Sequence, residues 1–159
     1  MIDRISAFVH CFGGGVKGGG PSGSGELRLA VAALLVEAAC MDRHFDAAER
    51  RTIARLLSER FDLADDEVAE LIAQAEQTVA DSTQLFPFTR TVARHFSERE
   101  RIELIEMLWE VAYADGELDE YEASLLRRVG GLIYVADKDS GAARQRVLAR
   151  RRKGGARGP

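Results

Sequence analysis

Leu35-Val36-Glu37-Ala38-Ala39-Cys40-Met41-Asp42-Arg43-His44-Phe45-Asp46-Ala47-Ala48-Glu49 and, 73 residues further on, Leu108-Trp109-Glu110-Val111-Ala112-Tyr113-Ala114-Asp115-Gly116-Glu117-Leu118-Asp119-Glu120-Tyr121-Glu122 are one element written twice. Glu37 matches Glu110, Ala39 matches Ala112, Asp42 matches Asp115, Asp46 matches Asp119 and Glu49 matches Glu122. Each copy reads as the end of an apolar helix, an acidic turn with one apolar residue in it, and an acidic helix start. A joint of that kind links two helices. Finding it twice in 159 residues predicts an internally duplicated, all-α bundle.

The surrounding sequence supports the same fold, because every segment has helical period and none alternates as a strand does. Leu27–Met41 is apolar on most sides, the signature of a central, buried helix. Asp46–Phe61 gathers Ile53, Leu56, Leu57 and Phe61 on one face, and Asp65 to about Asp81 gathers Val68, Leu71, Ile72, Ala75 and Val79. Leu85–Phe96 makes a shorter helix with Pro87 in its first turn, where proline is tolerated. Ser97 and Glu100 form a capping-box pair ahead of a helix carrying Ile102, Ile105, Leu108, Trp109 and Ala112. Asp119–Ile133 follows, weakened by Gly130-Gly131, and a last helix starts near Asp137. About seven helices result. The expected organisation is a short amphipathic helix and a Gly/Ser-rich linker over 1–25, the helical domain over 26–148, and a basic disordered tail over 149–159.

Composition fits a globular chain, 46% hydrophobic and 30% charged. No apolar run approaches a membrane span, since Glu37 stops the longest. Asp3 and the lack of a sustained apolar centre argue against a secretory signal. With two cysteines, Cys11 and Cys40, there is no disulfide framework, and a cytoplasmic location is expected, with membrane association as an option. The net charge of −4 conceals an asymmetry. Seven basic residues and no acid lie from Arg144 onward, whereas the remaining 15 basic residues face all 26 acidic ones, a net of −11.

Ala112 to Glu122, and more loosely the first copy, resemble the TerB-like family, named for a tellurite-resistance protein and found also at the N-terminus of a membrane-anchored DnaJ-like co-chaperone. The likeness spans about Leu27 to Val147. It implies an all-α, duplicated, non-catalytic module of stress-resistance or envelope-associated complexes, with acidic residues of both copies placed to bind a divalent cation. Copy one departs from the pattern, with Arg43 and His44 where the family has glycine and an acidic or polar residue. Copy two is accordingly the better site.

The acidic residues carry two readings. Asp46 with Glu49, and Asp119 with Glu122, have the spacing of an N-cap and its N3 partner, which stabilises a helix start by about 1 kcal/mol without any ligand. Asp42, Asp115, Glu37 and Glu110 are not needed for capping. Together the eight carboxylates form the candidate set for Ca²⁺ or Mg²⁺, hard ions that take about six to eight oxygens in the case of Ca²⁺. The spacing is not that of an EF-hand.

Other chemistry is poorly supported. The paired carboxylates are expected in wet turns, with no apolar pocket to set their pKa values apart for acid–base work. His10, His44 and His95 lack the spacing of a zinc site, no serine sits in a nucleophile elbow, and Gly13–Gly18 lacks the context of a phosphate loop. The chain is read as no enzyme. Its partner is expected to be a protein; a purely structural interaction domain is the alternative. The basic residues Arg150, Arg151, Arg152 and Lys153 suggest a further one, an adaptor gripping the phosphates of an anionic membrane surface or of a nucleic acid. Nucleic acid is the less expected of the two, and stacked single-strand binding is disfavoured because no aromatic residue is interleaved with them.

Overall fold

The computed structural model describes residues 24–40, 45–81, 86–114 and 120–156. Among them lie seven α-helices and no strand: α1 (Ser24–Ala39), α2 (Ala47–Phe61), α3 (Asp65–Asp81), α4 (Phe86–His95), α5 (Glu98–Ala112), α6 (Glu120–Leu132) and α7 (Asp137–Ala156). The expected all-α bundle is what the chain forms. The N-terminal helix and nearly all of the linker anticipated over 1–25 lie outside the described residues.

α1 is the axis of the bundle. Its apolar residues occupy every side, and from Leu29 to Val36 none is more than 5% exposed. Such a helix needs neighbours all round. It has them in α2, α3, α4, α5 and α6. α5 is its counterpart in the second copy, burying Leu104, Ile105, Leu108, Trp109 and Val111. Each fully buried aliphatic side chain here stabilises the fold by about 1.5–3 kcal/mol before the ordering entropy is set against it.

The duplication extends beyond the acidic element to whole helices. α1 packs on α2 and α3, and α2 on α3; likewise α5 packs on α6 and α7, and α6 on α7. Across the units, α1 meets α5, and α1–α6 is matched by α2–α5. Each contact has its counterpart, the pattern of two three-helix units related by an approximate two-fold. α4 connects them and rests on α1 and α6.

The two units differ by one residue at the second turn. α2 ends at Asp62, in the left-handed region at φ 53°, and the Leu63 N–H donates to the Ser58 carbonyl at 3.2 Å. α6 ends in the same Schellman-type closure, with Tyr134 at φ 62° and the Val135 N–H donating to the Gly130 carbonyl at 2.8 Å. These closures are 72 residues apart, not 73. α3 and α7 keep the shorter spacing: Val68, Leu71 and Ala75 are buried, as are Ser140, Ala143 and Val147.

α7 continues to Ala156, through residues expected to be a disordered tail from 149. Ion pairs hold the start of that segment to α5. Arg146 Nε and Arg150 Nη1 bind Glu106 Oε1 at 2.8 and 3.1 Å, and Arg150 Nη2 approaches Glu110 Oε1 at 3.6 Å. Ala, Arg and Lys are also good helix formers. Part of the basic segment is therefore structural.

A polar seam fastens α7 to α5. Trp109 Nε1 donates to Ser140 Oγ at 3.3 Å, and Arg144 Nε donates to the Tyr113 hydroxyl at 2.8 Å. The Arg144 guanidinium lies 5.3 Å from the Trp109 ring centre. The matching places in the first unit hold Val36, Val68, Cys40 and Ile72, three of them aliphatic.

Candidate functional site

Glu49 sits at the third position of α2 and closes a complete capping box. Asp46 Oδ1 accepts from the Glu49 N–H at 2.8 Å, and the Asp46 N–H donates to Glu49 Oε1 at 3.4 Å. Beside it Phe45, the apolar residue of the acidic turn, lies under the Arg50 guanidinium at 4.5 Å. Arg50 in turn binds Glu76 of α3 at 2.6 Å. Arg50 thereby links Phe45 to α3.

Capping explains the position of Glu49 but not its burial. Glu49 is 1% exposed, and so is Glu122, its counterpart 73 residues on and the third residue of α6. The Ser97–Glu100 pair ahead of α5 provides the comparison. It makes the same two hydrogen bonds, at 3.3 and 3.0 Å, yet the Glu100 side chain is 38% exposed. There the backbone hydrogen bond from Ser97, with help from Arg60, holds the carboxyl below its usual range. A capping glutamate works well in water. Enclosing a carboxylate is costly unless compensated, and the chain does so twice, at equivalent places. The expectation that these carboxylates sit in wet turns is corrected for Glu49 and Glu122.

Glu37 and Glu110, equivalent by sequence, have unequal surroundings. Glu110 is held by Arg55 at 3.2 Å and by Arg150 at 3.6 Å. Glu37 is half-buried on α1, and burial raises its carboxyl above the ordinary value of 4.5. The stability that protonated Glu37 contributes is complete below the ordinary range and is lost as pH rises through the raised folded value. Glu37→Gln is therefore expected to gain stability relative to the native chain near pH 7 and not near pH 4, as melting curves across about pH 4–8 will show.

Asp42, Asp115 and Asp119 lie outside the described residues, with Arg43, His44 and Gly116. Among the described residues no three His, Cys, Asp or Glu side chains gather at metal-holding distance. Of the eight candidate ligands, then, Glu49 and Glu122 are buried, Asp46 caps, Glu110 is engaged by arginine, and Glu37 is half-buried. Arg151, Arg152 and Lys153 are exposed at the end of α7.

Two open grooves lie on the surface of the described residues. One, of about 540 Å³, runs between α2 and α3 past Arg50, Arg55, Ser58, Glu59 and Asp65; the other, of about 450 Å³, is lined by Glu103, Glu106 and Arg146 among others. The hydroxyl in the first is occupied, since Ser58 Oγ donates to the Leu63 carbonyl at 2.9 Å. No helix among the described residues is long and apolar enough to cross a membrane. The sequence model of tellurite resistance protein TerB matches residues 28–145. No curated protein and no solved structure matches the chain significantly.

Proposed function

The chain belongs to the TerB family, and from that premise we propose that it is a non-catalytic binding module that takes up a divalent cation, Ca²⁺ or Mg²⁺, at its duplicated acidic joints and presents them to a protein partner in a stress-response or envelope-associated complex. The observation that carries this reading is the burial of Glu49 and Glu122, each 1% exposed, seven residues after Asp42 and Asp115 in the two copies of the sequence element. Carboxylate oxygens are the donors that a hard cation prefers. The Asp46–Glu49 cap would fix the direction from which Glu49 approaches the cation. Protein-interaction work also suits the surface, because the two grooves are open and mix charged side chains with apolar ones such as Val68, Ile72 and Ile102, and Ser58 spends its hydroxyl on the α2–α3 turn.

Titration calorimetry with Ca²⁺ and with Mg²⁺, paired with melting curves, tests the reading. Binding to the native state alone raises stability by about 2.7 kcal/mol at a cation concentration a hundred times Kd. Asp115→Ala is expected to melt like the native chain without cation and to lose that increment with it. Absence of both heat and melting shift up to millimolar cation would leave the joints as caps alone.

A further inference from the structure

Two stretches of this chain carry charge of one sign only. Residues 61–89, which include α3, hold seven acidic residues and no basic one, whereas 144–159 hold seven basic residues and no acidic one. α3 and α7 are counterparts in the duplication, so the same helix has become the acidic pole of one unit and the basic pole of the other.

Both poles have charge to spare. On the α2–α3 turn and the first turns of α3, Asp62, Asp65, Asp66, Glu67 and Glu70 are exposed, and none forms an ion pair among the described residues. Arg151, Arg152 and Lys153 are exposed and likewise without an ion-pair partner among the described residues. Just before them Arg146 and Arg150 tie α7 to Glu106 and Glu110 of α5. A basic helix end is thus carried on the same molecule as an exposed acidic helix face.

We propose that the basic end of α7 docks on the acidic face of α3 in a second copy of this chain. The contact is heterologous, each copy offering one end and one face. Three cations spread round the end of a helix suit a compact carboxylate cluster better than the long phosphate track of a nucleic acid, which more contacts and interleaved aromatics would grip. The attraction is between exposed charges, so it follows ionic strength: the Debye length is about 10 Å at 0.1 M salt and about 3 Å at 1 M.

Sedimentation of the full chain with EDTA present, which removes cation bridging, provides the test. In about 0.1 M salt the mass is expected to rise with concentration above the monomer's 17.5 kDa, and to return to it in about 1 M salt. The variant R151E/R152E/K153E is expected to remain monomeric, and so is D66K/E70K, whose two positions share a helix face. An equimolar mixture of the two variants is expected to associate. The second variant keeps the native basic end of α7, and the first keeps the native acidic face of α3 to receive it. Recovery in the mixture also proves both variants folded. A monomeric native chain in about 0.1 M salt, continued association of either variant, or a mixture that stays monomeric overturns the proposal, as does binding of the native chain to DNA or anionic vesicles without self-association.

Discussion

Leu35→Ala and Leu108→Ala are each expected to cost about 2–5 kcal/mol of unfolding free energy, the range for truncating a leucine in a packed core. Both side chains are 0% exposed, one on α1 and one on α5, at equivalent places in the duplication. The loss combines the transfer of the missing methyl and methylene groups with the cavity left behind, since neither site has a solvent edge through which to collapse. Against a total stability of about 5–15 kcal/mol, either change is severe. Urea unfolding followed by circular dichroism measures it through a lower midpoint at unchanged slope. A cost below about 1 kcal/mol for one and not the other would show that the two core positions are not energetic equivalents.

Trp109→Ala is expected to cost about 3–5 kcal/mol, and here the two units should part company. Trp109 is 5% exposed, bonds Ser140 through its indole N–H and lies beneath Arg144. Its counterpart, Val36, has none of these attachments and far less volume, so Val36→Ala is expected to cost less. Trp109→Phe separates the terms: packing is largely kept, while the Ser140 hydroxyl, in a residue 9% exposed, loses its donor, for about 1 kcal/mol. Trp109 is the single tryptophan of the chain, so fluorescence of the Ser140→Ala variant reports the seam directly.

Helical period and cap chemistry make most of this fold legible in the sequence. α2 begins after Asp46 and α5 after Ser97 because each carries its N3 glutamate, and both boxes are present. The duplication is readable too, but only where carboxylates mark it. The single-residue shortening between Asp62 and Tyr134 is not, because a left-handed closure made by Asp in one copy and Tyr in the other has no shared residue to align. The extent of α7 is hidden for a related reason. A run of arginines looks solvated until the glutamates it meets, Glu106 and Glu110, are seen one helix away. Burial of Glu49 and Glu122 is equally invisible, since Glu100 has the same local sequence signature and keeps 38% of its side chain exposed. Burial is decided by what packs across the unit, and a single helix does not record it.

The meeting of α1 with α5 bears on ancestry. A helix that packs against its own counterpart about a two-fold is the interface of a symmetric homodimer, here joined into one chain through α4. An ancestral dimer of three-helix subunits would have been bound to place identical residues on both sides, so that any gain on one side imposed the same change on the other. Within a single chain that constraint does not apply, and equivalent places can differ: Ile72 is aliphatic where Arg144 offers a guanidinium, and Glu37 is pushed toward neutrality by burial while Glu110 is claimed by two arginines.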